Sequence, residues 1–323
     1  MARIIIMYAG TIAATLAAIY AMFLGLLTTG YFQAHVVYLH RIQLSWCLDL
    51  NVPEQFDFLR NQVTSFEIPT PDNEILHAWH ILPVDCIPAN ILYRLSFKLL
   101  QDDPEALLVI YMHGAAGTMG SGYRVPSYRA LSAGHPDNLH VLAFDYRGFG
   151  HSTHWPSERG LILDAVSIIN WVMHVANIPA SRILIFGQSL GTAVALAASK
   201  QYALQSPPVV FAGSILVAPF TEVAKLAGTY RVGGYIPILS PLFYIPISFT
   251  CVRILLHDIW LSHDRIRTYV KANEVNGVKY RLSLILAEMI ILYIGIIFGP
   301  CFCTPLMLQS RRAKSGIVPW LKI

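Results

Sequence analysis

Charge is what this chain is short of. Lys and Arg number 23 and Asp and Glu 19 among 323 residues, so charged residues make up 13%. The usual share is roughly 25%. That deficit excludes a disordered chain, a coiled coil and an acidic or basic tail protein. It also argues against a molecule wholly surrounded by water, because a wetted surface carries those charges. No dense basic run interleaves with aromatics, so nucleic acid is not an expected partner. Five cysteines are too few for a disulfide scaffold. Cys47 and Cys86 would be free to pair only if the chain faces an oxidising lumen. There is no Asn-x-Ser/Thr sequon, no internal repeat and no low-complexity linker.

Apolar sequence takes the place of charge, at 55% of residues. From Ile4 to Thr29 no residue is charged, and about 20 apolar residues suffice to span a bilayer as a helix. A secretory signal has a shorter apolar core, of about 7–15 residues. Residues 1–30 are therefore expected to form an uncleaved membrane anchor, followed by a linker over 31–60. A second apolar run, Leu282 to Leu308, carries Glu288 as its one charge and is followed by Arg311, Arg312 and Lys314. Taken as a second span, it places both ends in the cytosol, because basic residues favour that side. Residues 30–281 would then be lumenal.

Between these runs, strand-like and helix-like segments alternate. Val63–Ile68 and Leu76–Leu82 read as strands around the turn Pro71-Asp72-Asn73. Leu107–Met112, a continuous apolar run, and His140–Phe144 read as buried strands, and Arg182–Phe186 and Ser214–Val217 read as further strands. Arg124–Ala133, Glu158–Ala176 and Ser189–Tyr202 read as helices, with Ser157 capping the second. Such alternation makes βα units on a mostly parallel sheet covered on both faces.

The chemistry is carried by Gly187-Gln188-Ser189-Leu190-Gly191, a Gly-x-Ser-x-Gly string between a strand and a helix. The turn lifts the Ser189 hydroxyl above the C-terminal edge of the sheet, and the helix N-terminus behind it favours developing negative charge. A tetrahedral oxyanion needs two backbone N–H donors. Leu190, after the nucleophile, supplies one. The loop His113-Gly114-Ala115-Ala116-Gly117 supplies the other, assigned to Ala115. His113 and Gly114 are expected to line the substrate site beside it.

Together these motifs resemble the α/β-hydrolase superfamily, and within it the membrane-anchored serine hydrolases of monoacylglycerol lipase and lysophospholipase type. The resemblance rests on Tyr111-Met112-His113-Gly114 with Ala116-Gly117-Thr118, on Phe144 to Ser152, on the Ser189 elbow and on Ala218-Pro219-Phe220-Thr221. It is dense from about Val63 to Thr221 and thinner to about Glu288. It implies an α/β-hydrolase fold: a mostly parallel sheet with helices on both faces, an N-terminal transmembrane helix and an incomplete C-terminal end of the sheet. The domain would occupy 61–288 with a cap at about 222–280, and 289–323 would be an atypical tail. The implied activity is hydrolysis of monoacylglycerol-like or lysophospholipid-like esters, without metal or organic cofactor. The implied setting is the lumenal face of the endoplasmic reticulum.

The rest of the triad departs from the family. The acid and then the base should follow the nucleophile. After Ser189 only His257 and His263 remain, both in the cap region. The acid expected after a strand near Lys279–Ala287 is absent, and Glu288 is the nearest carboxylate. Three readings are open. The tail is a non-native translation; or the chain is an inactive pseudo-hydrolase that binds lipid or a protein partner; or the triad is rearranged around Glu288 and His257 or His263. In the cap, Val232–Val252 is uncharged and broken by Pro237, Pro241 and Pro246. Three prolines oppose a straight membrane helix. Tyr235 and Phe243 in this stretch suit a lid over an acyl-chain groove.

Overall fold

The structure, a computed structural model, describes residues 2–43, 45, 47–87, 93–230, 235, 239–240, 244 and 248–286. Seven strands form one sheet: β1 (Val63–Pro69), β2 (Ile75–Ile81), β3 (Leu107–Met112), β4 (Leu139–Phe144), β5 (Ile183–Gln188), β6 (Gly213–Val217) and β7 (Leu282–Ile285). Their order is β1-β2-β4-β3-β5-β6-β7. β2 runs antiparallel to β1 and β4, and every other pairing is parallel. The β1–β2 hairpin turns at Asn73, which adopts φ 64°, a left-handed conformation that Asn tolerates.

The unbroken apolar runs of β3 and β4 follow from burial on both faces. Leu108, Ile110 and Met112 enter one core, while Val109 and Tyr111 enter the other. The first core is closed by α3 (Tyr93–Asp102), α5 (Glu158–His174), α6 (Leu190–Ala203) and α9 (Ser262–Val275), through residues such as Leu100, Ile168, Val194 and Ile266. The second is closed by α4 (Arg124–Gly134) through Val125 and Tyr128. α6 is buried almost all round, and its Ala-rich sequence lets it lie close under the sheet. The start of α5 is set by Ser157, whose hydroxyl accepts from the Gly160 N–H at 3.1 Å.

The long N-terminal helix α1 (Ala2–Leu26) is exposed along its length. Among the described residues it is the one helix long and apolar enough to cross a bilayer. The expected linker is different from expectation. Residues 30–38 form helix α2 (Gly30–Tyr38), and Tyr38, Leu50, Phe56 and Phe58 are buried in the two cores. Their apolar side chains dock the segment on the domain instead of leaving it as a tether.

A second span beginning at Leu282 does not occur, because Leu282–Ile285 is β7, paired in parallel with β6. Beyond 286 the tail lies outside the described residues. In the cap region, α7 (Val223–Thr229) and α8 (Ser248–Leu255) are inserted after β6. α9 instead covers the sheet through Ile266, so the inserted part ends before Ser262. The cysteines at 47 and 86 are both free thiols, not a pair.

Candidate active site

Ser189 sits at the crossing of β5 and α6 with φ 49° and ψ −116°. A non-glycine residue at such angles stores strain and persists only where its surroundings fix it. Two close approaches fix it here. A Cβ on Gly191 would lie 1.9 Å from Met112 O, and one on Gly187 would lie 2.5 Å from Gly191 O. Both positions therefore require glycine, and the turn brings α6 hard against the end of β3. Ser189 N donates to Val217 O at 2.9 Å, which ties the elbow to β6 as well.

The same approach brings the loop after β3 to the nucleophile. A Cβ on Gly114 would stand 3.3 Å from Ser189 Cβ and 3.9 Å from its Oγ. Successive N–H groups of this loop are committed. Ala116 N donates to Tyr38 O at 2.9 Å and Gly117 N to Ile42 O at 2.8 Å. Thr118 N donates to Ser121 Oγ at 2.8 Å and Met119 N to Asp145 Oδ1 at 2.6 Å. Among the described residues the Ala115 N–H and the Leu190 N–H donate to nothing. These are the two donors named from the sequence. The loop and the elbow thus each leave unspent one of the two N–H groups that an oxyanion would need, beside a strained serine.

His113 does not line the site. Its side chain is 0% exposed, with Nδ1 donating to Gly114 O at 2.7 Å and Nε2 lying 3.2 Å from Asp145 Oδ1, off the line of a hydrogen bond. Burial first, and the Arg124 charge next, hold its imidazole below the ordinary value. It braces the loop from behind and does not face a ligand. Tyr146 donates to His113 O at 3.2 Å, adding a second brace.

The remaining expected residues are not gathered around Ser189. His257 is tied to α2: its N–H donates to Gln33 Oε1 at 2.8 Å and its Nδ1 lies 3.2 Å from the same atom. It lines a cavity of about 440 Å³ with Tyr31, Trp155 and Asp258. His263 is part-exposed on α9, with Nδ1 3.4 Å from Asp264 Oδ1. Neither hydrogen-bonds Ser189. Tyr235 is 79% exposed. Glu288 and Phe243 lie outside the described residues.

Comparison with known proteins bears on this arrangement. The family model described as serine aminopeptidase, S33, matches residues 103–244. The chain is 29% identical over 231 residues to lysophosphatidylserine lipase ABHD12 of Mus musculus, covering 68% of this chain and 54% of that protein. It is 30% identical over 228 residues to the protein of that name from Rattus norvegicus, at 68% and 54% coverage. A crystal structure of an alpha-beta hydrolase from Vibrio vulnificus superposes with a TM-score of 0.50 and 16% identity, covering 78% of this chain and 84% of that one. The chain has the α/β-hydrolase fold. The expected mostly parallel sheet with helices is confirmed, with the elbow at the strand–helix crossing where the resemblance placed it. The chain spans about half the length of the curated relatives it matches.

Sequence reading missed four supports of the oxyanion loop: Tyr38 and Ile42 from the supposed linker, Asp145, and Arg124. The first two act through backbone carbonyls, which leave no residue signature. Asp145 was visible only as a family marker. Arg124 opens a helix, where sequence alone reads an arginine as surface.

Proposed function

We propose that this protein is a serine hydrolase of lipid carboxylic esters, of lysophospholipid or monoacylglycerol type. The observation that carries the proposal is the strained Ser189 elbow facing two unspent N–H donors. Ser189 Oγ attacks the acyl carbonyl, and the Ala115 and Leu190 N–H groups hold the oxygen as it becomes negative. Collapse breaks the ester C–O bond and releases the alcohol, leaving an acyl-serine that water then hydrolyses. The relatives named lysophosphatidylserine lipase support a single-chain phospholipid as substrate. The exposed α1 supports a membrane anchor. Arg3 at its start favours a cytosolic N-terminus, with the catalytic domain in the lumen of the endoplasmic reticulum.

The serine needs an imidazole base, and His257 and His263 are both held by other partners. That observation favours a second reading, a pseudo-hydrolase that binds lipid or a protein partner through the same cleft. The two separate on turnover. The purified full chain in detergent is supplied with lysophosphatidylserine or monoacylglycerol, and fatty acid release is followed. The hydrolase reading expects release that Ser189→Ala abolishes. Equal release from both proteins refutes it. Saturable lipid binding without release establishes the binding reading.

A further inference from the structure

Arg124 is 3% exposed, and among the described residues no carboxylate forms an ion pair with it. Burying an unpaired charge is costly. Its place at the first residue of α4 adds a second penalty, because the N-terminus of a helix repels cations. Two rules of stability therefore oppose an arginine here, and departures of that kind concentrate at functional sites.

What satisfies the guanidinium is the oxyanion loop. Nη2 donates to Gly114 O at 2.9 Å, Ala115 O at 3.1 Å and Ala116 O at 2.5 Å. Nη1 donates to Thr118 O. Four carbonyls within five residues point at one side chain. A planar fork of five donors can gather them; an ammonium has three donors and no fork. The peptide planes are rigid. Holding the Gly114 carbonyl inward orients the Ala115 N–H on the same plane the opposite way, away from the guanidinium. The outer face of the loop is held separately by Tyr38 O and Ile42 O.

We infer that Arg124 is a positioning residue for the oxyanion hole: it turns the carbonyls of the 114–118 loop inward so that the Ala115 N–H is presented to the substrate oxygen. It touches neither substrate nor nucleophile. The inference rests on the hydrolase reading for its catalytic consequence, but not for its structural one.

The test uses the full chain in detergent with Arg124→Lys and Arg124→Met. Hydrogen exchange, read on peptides covering residues 113–119, is expected to rise at least tenfold in both variants, with the rest of the domain unchanged. In ester hydrolysis, kcat is expected to fall about 10- to 100-fold with KM within about threefold, since losing one oxyanion donor outright costs about 10²–10³ in kcat. Arg124→Lys should recover only a minor part, because charge without the fork does not gather four carbonyls. Unchanged exchange over 113–119 overturns the inference whatever the activity. So does a full return of kcat with lysine, or loss of the folded state in both variants, which would make Arg124 a stability residue. If the wild type hydrolyses nothing, the hydrolase reading fails on its own, and the exchange result still decides the positioning role.

Discussion

Replacing Gly191 by alanine puts a methyl group where the end of β3 already stands. The new Cβ would lie 1.9 Å from Met112 O, 2.5 Å from Met112 C and 2.8 Å from His113 O. A carbon and a carbonyl oxygen approach comfortably to about 3.3 Å, so α6 and the start of the oxyanion loop must separate by about 1.4 Å. Both sides are backbone, and neither can rotate out of the way. Overpacking of this kind costs typically 1–3 kcal/mol, and the upper end, about 3 kcal/mol, applies here. Alanine in place of glycine inside a helix returns about 1 kcal/mol. The net loss is about 2 kcal/mol, which lowers the melting temperature by about 4–8 °C for a domain of this size. The effect on chemistry should be larger, because a displacement of about 1 Å at a reacting centre costs about 10²-fold. Thermal unfolding and the rate of fluorophosphonate labelling, measured side by side, give both quantities. Gly134→Ala is the control, since its Cβ would meet nothing within 4 Å. A Gly191→Ala protein that melts within 1 °C of wild type and labels at the wild-type rate would refute the elbow argument.

Three further outcomes follow from the structure. His80 Nε2 lies 3.1 Å from His140 Nδ1 in the interior. Burial first lowers both imidazoles, the charge of Arg182 adding to the effect at His140 against an opposing Asp103, and His140 falls to about 4. The unfolded imidazoles bind protons nearer 6.5, so the unfolded state gains protons first as pH falls. Stability should be full above about pH 6.5 and drop progressively toward pH 4, with His140 alone accounting for on the order of 3 kcal/mol. Melting curves between pH 7.5 and 4.5 should flatten in His140→Leu, and an unchanged slope would count against the pair. Ser157→Ala removes the cap of α5 and should cost about 1 kcal/mol, read as a shift in urea midpoint; no shift would show the cap to be idle. Deleting residues 2–29 should leave fluorophosphonate labelling in detergent intact, whereas deleting 2–43 removes Tyr38 O and Ile42 O from the oxyanion loop and should abolish it. Equal labelling of the two truncated proteins would contradict the role of that segment.

The parts of the fold legible in the sequence are those whose pattern is set locally. β3 and β4 announce themselves because burial on both faces demands an unbroken apolar run, as in Leu107–Met112. The elbow announces itself because Gly187 and Gly191 cannot be other residues. Where meaning depends on partners far away in the chain, the pattern misleads. Residues 31–60 look like a tether, yet Tyr38 is buried by contacts that include Asp258 and Trp260, some 220 residues on. His113 looks like a ligand-facing histidine beside the nucleophile, yet its ring is packed inside against Tyr146 and Phe149. Arg124 at the head of a helix gives no sign that four carbonyls await it. Leu282–Ile285 is apolar enough to pass for the start of a membrane span, and only its pairing with β6 separates the two. Except at Arg124, whose carbonyls lie 6–10 residues back, the deciding contact is far away in the chain.

The central claim is that Ser189 is an activated nucleophile. It is tested most directly by treating the folded full chain with a fluorophosphonate and locating the adduct by mass spectrometry. The account predicts one adduct, on the peptide carrying Gly187 to Gly191, absent from Ser189→Ala and slowed in Arg124→Lys. A folded wild-type protein that forms no adduct at Ser189 would contradict it.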